Sequence, residues 1–275
     1  MVTMTATSAY PLASLLRQAY LRQSTAFCPG CGHGIFMNAF LRAAAVLPLD
    51  FDRTVFVSGI GCGAWVPSPH FLADTLHVTH GRAVAFAAGV QRARPDLNVI
   101  VISGDGDLAT IGGNHLIHAA RRQTSIKVFC LNNWLFGMTG GQVSATTPRH
   151  ARTATTPAGN PDPPFDLVRL VLGAGAPFAA RWPVSLPRQL ARGIEHALRE
   201  PGFAFVEVLS ICPTHFGRIN EALLPAGEAS QSIPWRMLEW LRRQCIERQK
   251  AAALSPEERA GKILIGEWRG EEGWP

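Results

Sequence analysis

Lysine is almost missing from this chain. Lys127, Lys250 and Lys262 are its only three, so the formal charge of +6 rests on arginine. Such a balance reads either as a general compositional bias or as a surface that attracts an acidic protein partner. Charge of either sign is scarce, at 17% of residues against 47% hydrophobic ones, which excludes a disordered chain. The 275 residues suffice for one large α/β domain, or for a domain and a tail. No stretch reaches the roughly 18–20 continuous apolar residues that a membrane helix needs. No arginine run is interleaved with aromatics, so nucleic acid is not an expected ligand. Residues 1–11 carry no basic side chain ahead of a weak apolar stretch, so a secretory signal is not expected and a cytoplasmic location is. There is no internal repeat and no low-complexity tract. The six cysteines of an intracellular chain argue for metal or redox chemistry before disulfides.

Four short runs read as buried parallel strands: residues 54–58 (TVFVS), 98–103 (NVIVIS), 126–131 (IKVFCL) and 203–209 (FAFVEVL). Helical patterns cover about 34–47, 81–94, 113–122, 165–172 and 187–199, with Ser185 and Pro187 as a start and Pro201-Gly202 as a stop. Strands alternating with helices predict an α/β fold with a doubly wound, mainly parallel sheet. Residues 146–164 (TTPRHARTATTPAGNPDPP) have no apolar periodicity and are too long for an ordinary connection, so they read as a linker or as a functional loop. Past about residue 221 the sheet pattern stops. Residues 232–253 read as one helix with Trp235, Leu238, Trp240 and Leu241 on or near one side, and Ser255-Pro256-Glu257-Glu258 starts another. The expected organisation is a binding domain over 1–225 and a C-terminal helical tail over 226–275, docking on the domain or on a partner subunit.

All four strands run directly into residues with chemical potential: Gly59-Ile60-Gly61-Cys62, Gly104-Asp105-Gly106-Asp107, Asn132-Asn133 and Cys212-Pro213. In open α/β sheets ligands bind beyond the carboxyl ends of the strands, so these motifs are expected at one edge. The glycines of Gly104-Asp105-Gly106 allow backbone N–H groups to approach an anion. Asp105 offers a hard carboxylate oxygen to Mg2+ and Asn133 a neutral amide oxygen; twenty-five residues separate Gly106 from Asn132. That spacing matches the thiamine diphosphate signature. Cys28-Pro29-Gly30-Cys31 precedes a helix, while Cys62 and Cys212 end strands. Tetrahedral zinc, a dithiol redox pair and a [4Fe–4S] cluster all remain open for these thiols. Cys130 and Cys245 read as ordinary buried thiols.

From Phe27 to about Asn220 the sequence resembles the β subunits of 2-oxoacid:ferredoxin oxidoreductases. The matching stretches are CPGCGHG (28–34), SGIGC (58–62), THGR (79–82), GDGD (104–107), GMTGGQ (137–142) and CPTHF (212–216). The resemblance implies the thiamine diphosphate-binding fold. It implies that Asp105, Asn133 and the carbonyl of Leu135 bind Mg2+, and that Gly104, Gly106, Asp107, Gly137, Met138 and Thr139 lie against the diphosphate. Cys28, Cys31, Cys62 and Cys212 would ligate one [4Fe–4S] cluster, with Ile60, Gly61, Cys62, Gly63 and His80 near the cofactor. No catalytic side chain is assigned outright, and His80 is the candidate. Stretches 65–70, 73–80, 114–122 and 152–160 look like 2-oxoglutarate:ferredoxin oxidoreductases; pyruvate or broad-range enzymes are the competitors. Phe136 stands where a tyrosine is common, and Gly140 where some broad-range members carry lysine.

The implied reaction is CoA-dependent oxidative decarboxylation of 2-oxoglutarate to succinyl-CoA, with electrons passed to ferredoxin, or the reverse carboxylation. The implied partners are an α subunit carrying the pyrimidine-binding domain, ferredoxin, the 2-oxoacid and coenzyme A, in an (αβ)2 assembly. Two readings from other classes stand beside it: a non-redox thiamine diphosphate lyase subunit with structural zinc, and a non-catalytic assembly subunit.

Overall fold

The computed structural model describes residues 25–226 and 231–270; the stretch 1–11 lies outside the described residues. The chain order is helix α1 (Gly32–Val46), strand β1 (Thr54–Ser58), β2 (Asp74–His77), α2 (Ala83–Ala93), β3 (Asn98–Gly104), α3 (Gly113–Arg121) and β4 (Lys127–Asn132). Then follow β5 (Leu135–Phe136), β6 (Gln142–Val143), α4 (Leu167–Gly173), β7 (Phe178–Pro183), α5 (Pro187–Arg199) and β8 (Ala204–Leu209). The tail supplies α6 (Ile233–Gln244), β9 (Cys245–Glu247), α7 (Arg248–Ala251), α8 (Pro256–Arg259) and β10 (Ile263–Arg269).

Eight strands form one sheet in the order β2-β1-β3-β4-β8-β7-β10-β9, and β5 and β6 form a separate hairpin. The first six strands are mutually parallel; β10 runs antiparallel to β7 and parallel to β9. Strand alternation feeds two cores. Phe56, Ile100, Ile102, Phe129, Leu131, Val206 and Val208 pack against α1, α5 and α6. Val55, Val57, Val99, Val101, Val128 and Phe205 pack against α2, α3 and α4 on the other face. Helix α1 buries Phe36, Met37, Phe40, Leu41 and Ala44, spaced by three and four residues, as an amphipathic helix must. Strands β1, β3, β4 and β8, the four that carry the motifs, are immediate neighbours in the sheet. The order reverses at β1, so a crevice opens between the ends of β1 and β3.

The structure differs from the expectations at several places. The sheet also contains β2 and β7, which patterning passed over. Edge strand β2 is largely exposed and reads polar, while β7 (FAARWP) is rich in alanine and ends in proline. Ser185 does not cap α5: the N-cap is Leu186, without a side-chain bond, and Pro187 occupies the first turn. The helix expected over 232–253 stops at Gln244, because Cys245 turns extended and pairs in register with Ile263. Met237 and Leu241 are buried on α6, whereas Trp235 is exposed. The tail is therefore not purely helical. It docks on the domain by strand as well as by helix, and Ser255 begins α8 with the full capping box. Trp268 of β10 is completely buried in the core formed with α2, α3 and α4. Trp268→Ala is expected to lower stability by about 3–5 kcal/mol, measured by denaturant unfolding. A change below about 1 kcal/mol would show that the tail is only loosely attached.

Candidate functional site

Ile60, Gly61, Cys62, Gly63, His80, Gly104, Asp105, Gly106, Asp107, Asn133, Leu135, Gly137, Met138 and Thr139, all expected near the cofactor, line one pocket at the carboxyl edge of the sheet, joined by His33 and Phe136. Asp105 sits at its floor, 1% exposed. Its Oδ2 accepts from the Ser144 and Thr146 hydroxyls, at 2.6 and 2.7 Å, and its Oδ1 from the Asn133 backbone N–H at 3.3 Å. Burial pushes the Asp105 carboxyl up to about 6 against those hydrogen bonds. A carboxylate held at such a disadvantage is one whose charge a cation would stabilise.

Asn133 is aimed at the same point by an unusual bend. Asn132 ends β4, and its Oδ1 accepts from Trp134 N at 3.0 Å. Trp134 then adopts a left-handed φ of 66°, rare for so bulky a residue. Its ring is pinned between Phe216 and Trp240, at 5.1 and 5.3 Å between centroids, and its carbonyl accepts from Thr147 Oγ1 at 2.6 Å. The result brings the tip of the Asn133 amide to 3.2 Å from Asp105 Oδ1 and 2.7 Å from the Leu135 carbonyl oxygen. With its nitrogen turned inward the amide donates to both; with its oxygen inward, three oxygens converge with no proton among them. Carboxylate, amide and carbonyl oxygens are the donor chemistry of Mg2+, and a cation is what the second orientation requires. The residues fit the ion.

Asp107, also buried, faces a different set. Its Oδ1 pairs with His80 Nδ1 at 2.6 Å and accepts from Gly81 N at 2.6 Å and Ile60 N at 3.3 Å. Only glycine at 59 allows this, since a Cβ there would lie 2.1 Å from the carboxylate. One buried acid thus ties the turn after β1 to the THGR segment. Phe136 lies over Gly106, where a Cβ would meet its ring at 2.5 Å, and stands 5.8 Å from the His80 ring.

Cys62 reaches the pocket, whereas Cys28, Cys31 and Cys212 are not among its lining residues. Burial first, and then the neighbouring thiols, push Cys62 up to about 11. Burial likewise takes Cys31 up to about 12, with Cys212, Cys62 and Cys28 adding to it, and raises Cys212. The four thiols are close enough to oppose one another's ionisation, which a positive centre between them would reverse. Among the described residues no three His, Cys, Asp or Glu side chains close on a single ion. A Cβ at Gly137 would lie 3.6 Å from Cys62 Sγ and 3.4 Å from Asn133 Nδ2, so one residue's width separates the two side chains. Cys130 is fully buried in β4 and Cys245 lies in the tail, neither at the pocket.

Of the other histidines, His33 is buried and bonded to Ser210 Oγ at 2.9 Å, and burial lowers its pKa to about 4, leaving it neutral. His77 meets Trp65 edge-on at 5.8 Å, and His115 and His118 lie on α3 outside the pocket lining. The long segment 146–164 is an ordered brace. Thr146 holds Asp105, Asn160 Nδ2 donates to the Thr147 carbonyl at 2.8 Å, and Asn220 bonds the Arg152 backbone at both ends. Patterning missed Ser144 and Thr146; the only signal was a run of hydroxyl residues directly after the strongest motif.

Residues 59–208 match the model of the thiamine pyrophosphate enzyme, C-terminal TPP binding domain family. The chain is 46% identical to the 2-oxoglutarate synthase subunit KorB of Methanothermobacter marburgensis, covering 88% of this chain and 81% of that one. It is 46% identical to the KorB of Methanocaldococcus jannaschii, over 90% of each. Its fold superimposes, at a TM-score of 0.79 and 30% identity, on a structure of 2-oxoglutarate:ferredoxin oxidoreductase from Magnetococcus marinus with 2-oxoglutarate, coenzyme A and succinyl-CoA bound, covering 94% of this chain and 85% of that one. With the pocket built from that family's motifs and the likeness running through nearly the whole chain, this protein belongs to the KorB family of 2-oxoacid:ferredoxin oxidoreductase β subunits.

Proposed function

We propose that this chain holds the diphosphate end of thiamine diphosphate through Mg2+ and acts as the β subunit of a 2-oxoglutarate:ferredoxin oxidoreductase. The reaction takes 2-oxoglutarate, coenzyme A and two oxidised ferredoxins to succinyl-CoA, CO2, a proton and two reduced ferredoxins, or runs in reverse. The observation that carries this reading is the placement of the Cys62 thiol beside Gly137, across from the Asp105, Asn133 and Leu135 oxygens. Asp105, Asn133 and the Leu135 carbonyl would hold Mg2+, and Cys28, Cys31, Cys62 and Cys212 a [4Fe–4S] cluster. When bound, the cofactor would supply a nucleophilic carbanion for the 2-oxo group, and the cluster would supply a one-electron outlet.

The chain's own residues do the rest. Glycines 104, 106 and 137 keep the backbone open to the diphosphate, and Met138 and Thr139 border it. Phe136 brings an apolar ring rather than a hydroxyl to the pocket wall. Asp107 fixes one ring nitrogen of His80, leaving the other for proton exchange with a ligand. His80→Ala is expected to lower kcat by about a hundredfold with iron content unchanged. Asp107→Asn should lower it as well, and in the His80→Ala background its effect should shrink to what the Gly81 and Ile60 bonds carry. Equal turnover in His80→Ala would remove its catalytic role.

Among the described residues the strands form one large sheet and a two-stranded hairpin; an α subunit would supply the pyrimidine-binding half of the cofactor site, in an (αβ)2 assembly. The +6 charge suits an acidic electron carrier, whose docking should weaken with salt. The deciding experiment is anaerobic reconstitution with the cognate α subunit, 2-oxoglutarate, coenzyme A and ferredoxin. The complex should reduce ferredoxin and neither subunit alone should turn over. Decarboxylation by the pure β subunit, or pyruvate outrunning 2-oxoglutarate, would refute the assignment in its subunit or substrate part.

A further inference from the structure

A carboxylate and a guanidinium are buried inside this sheet, away from the pocket. Glu207 on β8 is 2% exposed and Arg181 on β7 is 5% exposed, and the two stand directly opposite in register. Arg181 Nε donates to Glu207 Oε2 at 2.6 Å, and its NH2 group bonds Asp166, the N-cap of α4. A buried ion pair contributes little net stability, because desolvation offsets the attraction; apolar residues of like volume serve a core as well or better. Its presence among strands that are otherwise apolar calls for another role.

The role is visible in the remaining oxygen. Glu207 Oε1 accepts from Asn132 Nδ2 at 2.7 Å. A carboxylate there only accepts, so it dictates which way the Asn132 amide faces. The Asn132 oxygen is thereby turned toward Trp134 N and the Thr146 hydroxyl, each at 3.0 Å. Trp134 N lies in the left-handed bend that aims Asn133 and the Leu135 carbonyl, and Thr146 is the hydroxyl that also reaches Asp105. Hydrogen bonds therefore run from Arg181 through Glu207 and Asn132 to Trp134 N, between Asn133 and Leu135, and to Thr146, whose one hydroxyl proton lies between Asn132 and Asp105.

We propose that Glu207, held by Arg181, is a positioning residue for the Mg2+ site: by locking the Asn132 amide it holds the Asn133–Leu135 bend and Thr146 in the geometry that binds the ion. The inference rests on the Mg2+ reading of Asp105 and Asn133, and its test separates the two. Glutamine at 207 keeps the volume but has one acceptor and one donor end. It can satisfy Asn132 or Arg181, not both.

The experiment measures Mg2+ affinity by calorimetry on the αβ complex with thiamine diphosphate, and Mn2+ binding by EPR as a second readout. Asp105→Ala serves as the reference. Glu207→Gln should weaken Mg2+ by about tenfold or more while iron content is unchanged. If Glu207→Gln does not fold, the paired replacement Glu207→Leu with Arg181→Leu leaves neither of these two charges behind. It should fold, and still lose Mg2+ affinity to the same degree. Wild-type Mg2+ affinity in either folded variant, with Asp105→Ala inactive in binding, overturns the proposal alone. Wild-type affinity in Asp105→Ala overturns the site reading on which it stands.

Discussion

Asp105→Ala is expected to abolish Mg2+-dependent binding of thiamine diphosphate and to leave the chain folded. The carboxylate is the only charged member of the oxygen set, and amide and carbonyl oxygens alone are poor ligands for so strongly hydrated a cation. Its loss removes the acceptor of the Ser144 and Thr146 hydroxyls and of Asn133 N. Buried donors left without partners cost about 1–3 kcal/mol each. Removing a buried charge relieves a desolvation penalty of several kcal/mol, and here burial is the largest influence on the carboxyl. The two effects oppose each other, so the ion-free variant should unfold close to wild type. Calorimetry with Mg2+ and with a chelator, beside a thermal unfolding curve, checks both halves. Cofactor affinity equal to wild type would overturn the site.

Cys62→Ser is expected to strip the electron outlet and spare the cofactor. The wild-type chain, purified without oxygen in its complex, should carry about four irons with matching sulfide and show a reduced-cluster EPR signal after dithionite. A serine hydroxyl does not ionise in this range, so the variant should lose that signal and the ability to reduce ferredoxin. Mg2+-dependent thiamine diphosphate binding should persist, because Asp105 and Asn133 directly follow β3 and β4 and Leu135 opens β5, all apart from the cysteine loops. Cys130→Ala, altering a thiol fully buried in mid-strand, should leave iron unchanged. Zinc in place of iron in the wild type would leave a thiamine-binding subunit without an electron path, and iron retained by Cys62→Ser would remove Cys62 from the ligand set.

The four motif-bearing strands were legible because each is a short run rich in β-branched or aromatic residues that stops at or just before a Gly, Asn or Ser ahead of the chemistry. Their helices were legible from apolar spacing, to within about two residues at most ends. The strands that escaped share a physical cause. Edge strand β2 has no buried face to impose alternation, β7 is built of alanines around a buried Arg181, and β10 is interrupted by Gly266 at a φ of 135°. The tail read as helix because Trp240 and Leu241 keep helical spacing up to Cys245, where pairing with Ile263, eighteen residues later, overrides it.

Within the pocket, Asp105, Asn133, Cys62 and the glycines were readable in the sequence, since each belongs to a local motif whose spacing is itself the signal. Ser144, Thr146, Glu207 and Arg181 were not, because what matters about them is a partner distant in the chain. Glu207 meets Asn132 across 75 residues, and Thr146 meets Asp105 across 41. The sequence by itself determined the fold class and the edge of the sheet where the motif residues gather. These follow from local periodicity and from strand ends, which short-range sterics and hydrophobic alternation dictate. Only the tertiary structure decided which hydroxyls face Asp105, that Asp107 serves His80 and the Ile60 turn, and that a buried ion pair stands behind the Asn133 bend. Hydrogen bonds of that kind depend on distance and direction in space, and no spacing along a chain encodes them.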